Sequence, residues 1–397
     1  MQKRSVLLGW EMGRGLGHVH KLRLVGEALE ASGWSTRYAL KFPETAPVVG
    51  IREEAVVPAP RWPDPPAEYQ THRNLMRASA NFGQTLGFGG FHDAGAVEAS
   101  VRQWSAMLDE LRPALVIGDY APGLMLAARA RVPSLNFGAG YWLPPSDLKT
   151  FPPTLQTDDP PLFDEAGLID NVNRALAACG RPAIDALPQV VQGDVQCACT
   201  YPVLDPYRGL RRDPYLGLID TQSVDVADHR GDRLFIYLHP IAVTNAPLRE
   251  ALCSMRLPAL VYSGEAGAPY REQFEAGGLE VADSFVDLPC EMPRTRAVIH
   301  CGGHGLACVA LLSGRPQLVL SYHMENRLTG QALQSAGVGL RIPLPETPAE
   351  HFRQAIHAVA NDDKLAFQTA VIGRDTMKRY GINGLQAVLG ECERLAG

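Results

Sequence analysis

The sequence predicts an α/β protein of two Rossmann-like domains, and three observations carry that expectation. The chain has 397 residues, more than one hydrophobic core usually supports, so two domains are expected. Residues 297–320 read as an apolar strand, a glycine turn, an apolar helix and a second apolar strand, the repeating unit of a parallel sheet. The amino-terminal end opens alike. There an apolar strand at 5–10 is followed by Gly13, Gly15 and Gly17, a helix to Ser32 stopped by Gly33, and a strand at 35–40.

The later block is the more informative. After the strand at 297–300, Gly302, Gly303 and Gly305 make a turn without Cβ atoms. Residues 306–313 form a helix too apolar to lie on a surface, ended by Gly314 and Pro316, and 317–320 is a buried strand. A helix that opens on a glycine turn offers unpaired N–H groups and the positive end of its dipole to an anion. Bare glycines let a phosphate come close. The plainer alternative, that the glycines only permit tight helix–strand packing, stays open at this point. Residues 321–326 read as a polar loop carrying Glu325 and Asn326. Ligands of doubly wound sheets bind beyond the carboxyl ends of the strands, and the glycine turn and the Glu–Asn pair share that edge.

Composition bounds the function. Apolar residues make up 46% and charged residues 20% of the chain, as in ordinary globular α/β proteins. A formal charge of −6 gives no reason to expect nucleic acid or anionic lipid as a partner. The amino terminus has no signal-peptide pattern and no apolar run approaches the ~20 residues of a transmembrane segment. Eight cysteines occur without a C-x-x-C pair; Cys197 and Cys199 share a strand face. Reduced thiols in a cytoplasmic protein are expected.

In chain order, 52–68 reads as a proline-rich loop, with helices at 68–80 and 93–111 and an irregular glycine-rich stretch at 82–91 between them. A buried strand at 114–118 ends at Asp119, then come a helix at 122–131 and a strand at 134–137. An aromatic loop with Tyr141 and Trp142 runs to 153, followed by helices at 164–179 and 182–188 and a strand at 195–200. The polar stretch 201–233 holds the boundary between domains 1–215 and 216–375. Beyond it the pattern restarts with strands at 234–238, 259–263, 279–282 and 340–342 around the glycine block, and helices at 247–255 and 349–360 and on to 395.

The block 297–326 resembles the donor-binding signature of GT-B glycosyltransferases, the UDP-glycosyltransferase and macrolide-glycosyltransferase group, H-G-G-x-G-T-x-x-E-A-x-x-x-G-V-P followed by D-Q. Gly302, Gly303 and Gly305 match the motif glycines, Gly314 and Pro316 its G-V-P, and Glu325 and Asn326 stand at its Asp and Gln. The resemblance implies a GT-B fold, two Rossmann-like domains facing across a cleft, with residues 376–397 packing back toward the first domain. It implies that Gly302, Gly303, His304 and Gly305 bind the donor diphosphate and that Glu325 and Asn326 bind the donor sugar. Phe285 stands where the family stacks a Trp on the donor base, with Val286 beside it. Arg14 and Gly17, in the first glycine turn, are placed to meet the diphosphate too, with plain surface exposure of Arg14 the open alternative. Three residues depart from the signature: Cys301 replaces the diphosphate-binding His, Leu306 the Thr, and Ala310 stands near the acid. His304 is the residue placed to restore part of that capacity.

His18 is the candidate base. It follows the first glycine turn, and Asp119 ends another strand of the same sheet at the same edge. A neutral imidazole takes a proton from a hydroxyl, and a carboxylate on its other nitrogen fixes the tautomer. The alternative is that each residue merely caps a helix. The family's G-H-x-x-P loop, which carries the base, reads here as Gly17, His18, Val19, His20 and Lys21, with Lys21 for the Pro. His300, Cys301, His304 and His323 lack the spacing of a metal site, and Cys301 lacks a partner base for nucleophilic work. The expected activity is therefore an inverting, metal-independent glycosyl transfer. A UDP- or dTDP-linked sugar would pass to a small-molecule or lipid-like acceptor, with no cofactor. Two other readings stand beside it: a sugar-nucleotide-binding protein without transferase activity, and a GT-B UDP-sugar epimerase. Residues 60–100 and 140–180 would build the acceptor pocket, where Tyr141 and Trp142 suit an apolar or ring-shaped molecule.

Overall fold

The structure is a computed structural model that describes residues 4–13, 15–155, 158–219 and 231–397. The chain divides into two units, one of Met1–Thr200, Tyr207–Asp220 and Ile382–Gly397, the other of Tyr201–Pro206 and Thr221–Gly381.

The first unit is built on a parallel sheet of β1 (Ser5–Trp10), β2 (Ser35–Leu40), β3 (Val56–Pro58), β4 (Leu115–Gly118), β5 (Ser134–Gly138) and β6 (Val195–Ala198), in the order β3-β2-β1-β4-β5-β6. The second holds β7 (Arg233–Tyr237), β8 (Ala259–Tyr262), β9 (Glu280–Val281), β10 (Thr295–His300), β11 (Gln317–Ser321) and β12 (Gly339–Pro343), in the order β12-β11-β10-β7-β8-β9. Counted within its own unit, each sheet runs 3-2-1-4-5-6, the Rossmann arrangement. The chain direction across the sheet reverses between the first and fourth strands, which leaves a crevice at their carboxyl ends.

Both cores follow from apolar runs that face helices on both sides. In the first unit Val6, Leu8 and Trp10 of β1 pack with Val19, Leu22, Val25 and Leu29, one face of the helix Leu16–Ala31. Leu385, Val388 and Cys392 of the last helix, Gly384–Ala396, join this same core. Their spacing of three and four residues is the apolar stripe of an amphipathic helix. Trp34 Nε1 donates to Glu393 Oε1 at 2.8 Å and fixes that helix further. In the second unit the helix His304–Leu312 is buried from Ala307 to Leu312, as its composition requires.

Several expectations need correction. The proline-rich stretch at 52–68 contains β3, whose Pro58 lacks an N–H and is tolerated because the strand lies at the sheet edge. The glycine-rich stretch at 82–91 is helical, Phe82–Leu86 continuing into the wide turn Gly87–Phe91. Its glycines make room for rings: a Cβ on Gly87 would lie 2.4 Å from Phe163, and one on Gly90 2.7 Å from Trp62. No helix forms at 182–188, where the Asn173 side chain takes both backbone groups of Ile184 and only the short turn Leu187–Val191 follows. Glu325 and Asn326 lie not in a loop but in the first turn of the helix Met324–Ser335. Gly330 in its middle lets the Arg341 side chain cross the helix; a Cβ there would meet Arg341 Cγ at 2.6 Å. Short helices at Pro240–Val243 and Arg271–Ala276 also went unread.

Candidate active site

The crevice of the first unit is set by the register of β1 and β4. Gly9 pairs with Gly118, so the two strands end level, and Asp119 N–H donates to Gly9 at 3.0 Å. Past that level the chain enters the helix carrying His18. His18 Nδ1 lies 3.0 Å from Asp119 Oδ1, and Lys21 Nζ lies 2.8 Å from Asp119 Oδ2. Both contacts are within hydrogen-bonding and ion-pair distance, and such contacts often tighten once substrate is bound. Asp119 is fully buried. Burial alone would raise its carboxyl, but Lys21 and His18 beside it outweigh that and hold the group below the usual carboxylate range.

The His18 ring stacks on Trp10 with centroids 5.5 Å apart and meets Trp142 edge-on at 6.4 Å. Gly13, at φ +81°, brings bare backbone against the free nitrogen; a side chain there would lie 3.2 Å from His18 Nε2. Nε2 is the atom left to take a proton. Gly17 is exposed in the first turn of the same helix. Arg14 lies outside the described residues.

Glu11, just past β1, is a second buried carboxylate here. It accepts from the Gly123 N–H and the Trp104 indole. Burial pushes it from 4.5 up to about 7 despite those bonds. Between these values the folded chain keeps a proton that the unfolded chain has lost. The contribution of Glu11 to stability is therefore expected to fall as pH rises from about 4.5 to about 7, by up to roughly 3 kcal/mol, and then to level, set against the opposite slope from buried imidazoles such as His300. Denaturant unfolding at several pH values would show this as a stability difference between the wild type and Glu11→Gln that changes across that window. Equal slopes in both would contradict the assignment.

In the second unit the corresponding crevice lies past β7 and β10. Gly302, at φ +76°, turns the chain beside Asn326; a Cβ on it would lie 2.9 Å from Asn326 Cα. Gly303 caps the helix His304–Leu312 without any side-chain hydrogen bond. Gly303 and Gly305 are exposed, with open space where side chains would be. The first-turn amides of Gly305 and Leu306 have no acceptor within the helix and face that space from the positive end of its dipole. The His304 ring lies back along its helix, 3.6 Å from Cys308 Sγ. Asn326 is buried and its Oδ1 has no partner, an orphan that a hydroxyl donor would satisfy. Glu325 is half-buried in the same turn.

His300 is not part of this anion site. Its Nδ1 accepts from Gly302 N at 3.1 Å, and its Nε2 meets Gln317 Oε1 at 2.9 Å. Burial pushes the imidazole down to about 4, so it is a neutral crosspiece holding the glycine turn. Cys301 is buried, and burial raises its thiol to about 11. The helix N-terminus therefore does not activate it as a nucleophile. Phe285 is 73% exposed and leans on Tyr262, which stacks on Tyr237. These three rings form an aromatic ladder past β7 and β8, with Val286 half-buried next to it.

Residues 278–379 match the family described as "Erythromycin biosynthesis protein CIII-like, C-terminal domain". A stretch of 112 residues is 28% identical to the 3-alpha-mycarosylerythronolide B desosaminyl transferase of Saccharopolyspora erythraea, covering 28% of this chain and 26% of that protein. Over 84 residues the chain is 31% identical to tylactone mycaminosyltransferase of Streptomyces fradiae, covering 21% of this chain and 19% of that protein. The matches thus span about a quarter or less of these relatives' length. The likeness in structure extends further. The spinosyn rhamnosyltransferase SpnG complexed with spinosyn aglycone superposes with TM-score 0.69 at 17% identity, covering 98% of this chain and 100% of that one. The glycosyltransferase VinC in complex with dTDP gives 0.64 at 17% identity, covering 99% of each chain. The fold is GT-B.

Within this GT-B chain, the structure brings His18 and Asp119 into contact and sets Asn326 against the Gly302 turn. It exposes Gly303, Gly305 and Phe285. Sequence reasoning missed Lys21 as a partner of Asp119, although its spacing of three residues from His18 puts both on one helix face. It also passed over Glu11, whose only signal was an acid directly after an apolar strand. Tyr237 and Tyr262, hidden in strand ends, became visible as a ladder only once β7 and β8 were paired.

Proposed function

We propose that the protein is an inverting, metal-independent glycosyltransferase. It would move a sugar from a dTDP- or UDP-linked donor to a hydroxyl of an apolar, ring-shaped acceptor. The observation that carries the reading is the His18–Asp119 pair at the crevice of a GT-B fold's first sheet. His18 Nε2 would take the acceptor proton as the oxygen attacks the anomeric carbon, and Asp119 would steady the imidazolium. The N-terminus of the helix His304–Leu312 would meet the charge developing on the departing diphosphate, a preorganised electrostatic effect. Asn326 and Glu325 would orient the sugar, and Phe285 would carry the base on its exposed face.

The relatives point in this direction: they are a desosaminyl transferase and a mycaminosyltransferase, and the structural neighbours include a rhamnosyltransferase bound to spinosyn aglycone and a glycosyltransferase bound to dTDP. The test is turnover of dTDP- and UDP-sugars by purified protein with a panel of macrolactones and aromatic polyketides, in the presence of EDTA. Release of nucleoside diphosphate coupled to glycoside formation is expected, undiminished by the chelator. Donor binding without turnover would favour a binding protein, and a changed donor sugar without acceptor would favour an epimerase.

A further inference from the structure

Lys21 stands at the position where related base-carrying loops have proline, and it makes the closest polar contact of the buried Asp119. Lys21 and His18 lie three residues apart on one helix and reach opposite oxygens of the same carboxylate, at 2.8 and 3.0 Å. From β5 the bare backbone of Gly138 approaches, its Cβ position lying 3.9 Å from Asp119 Oδ1. A buried carboxylate with one cationic partner would draw a proton onto that partner. With a permanent ammonium on its other oxygen, it no longer needs the imidazolium as a counter-charge.

We propose that Lys21 is a positioning residue: as the standing counter-ion of Asp119, it keeps His18 oriented yet unprotonated and so available as a base. This rests on the reading of His18 as the base. The Lys21 stem passes the Phe137 ring, its ammonium 5.6 Å from the centroid, so packing fixes where the charge sits. Among the described residues, other titratable groups lie near the pair, the buried Glu11 past β1 among them. The Cys199 thiol past β6 is raised by burial to about 12 and stays neutral. Tyr120 lies beside the imidazole, with ring centroids 6.3 Å apart. Lys41, past β2, donates to the Gly13 carbonyl at 3.1 Å.

The experiment compares the wild type with Lys21→Met and Lys21→Arg. Histidine 15N signals are titrated in each, with His18 assigned by its loss in His18→Ala. The pH profile of kcat/KM is recorded in parallel. In Lys21→Met the His18 midpoint is expected to move up by at least about one pH unit. The acidic limb of kcat/KM should move with it, and the plateau at high pH should recover to within a few-fold of wild type. Lys21→Arg should restore both. A midpoint unmoved in Lys21→Met overturns the proposal, and so does a plateau lowered without any shift of the limb, which is what a merely structural lysine would give. The NMR arm needs no turnover, so a failure of the transferase reading would leave it readable.

Discussion

Replacing His18 with alanine is expected to lower glycosyl transfer by roughly 100- to 10,000-fold, the usual contribution of a positioned general base. Binding of the nucleoside diphosphate should be unchanged. The expectation follows from placement. The imidazole is held by Trp10 on one face and Asp119 on one nitrogen, and Nε2 faces the backbone of Gly13. Removing the ring leaves a small cavity beside an already aromatic wall, so folding is only modestly affected, while the acceptor hydroxyl loses its proton acceptor. Asp119→Asn should follow in activity but also lose stability, because Lys21 would then be left without its counter-ion. Single-turnover rates with saturating donor, set beside calorimetric binding of dTDP and UDP, separate the two effects. Equal losses in binding and rate would place His18 in the donor site instead.

The second large effect concerns Gly303. Gly303→Asp should weaken donor binding on the order of 100-fold without lowering the melting temperature. The backbone at Gly303 is extended, φ −61° and ψ 129°, and nothing lies within 4 Å of its Cβ position, so a side chain is accommodated. Aspartate caps a helix at least as well as glycine, by a few tenths of a kcal/mol, and its charge suits the dipole. The same carboxylate would stand where the diphosphate must come. Like charges about 4 Å apart near a protein surface repel by roughly 4 kcal/mol before salt screening. A variant that melts no lower yet no longer binds nucleotide is the expected pair of results. Unimpaired binding would remove the helix N-terminus from the donor site.

Much of this was legible in the sequence because parallel sheets write themselves as apolar runs between glycine turns. The strands at 5–10, 297–300 and 317–320 are buried on both faces, and their edges follow from the glycines. The edge strand Val56–Pro58 was not legible, because two half-buried valines and an exposed proline carry no buried pattern. The start of the helix Met324–Ser335 was not legible because the polar run 321–326 reads as a loop, and Gly330 sits mid-helix to pack against Arg341 of β12. At the site, Asp119 was readable as a polar residue ending an apolar strand and His18 as one following the first glycine turn. Lys21 was not, since its role depends on the level at which β4 ends relative to β1, and register appears only when strands pair.

The measurement that bears most directly on the central claim is the anomeric configuration of the product. A dTDP- or UDP-linked α-sugar would be incubated with the protein and an accepted aglycone, and the coupling constant of the product's anomeric proton read by NMR. In-line attack by an oxygen that His18 has deprotonated predicts a β-linked glycoside, formed by the wild type and not by His18→Ala. An α-linked product, or equal product from both proteins, would contradict it.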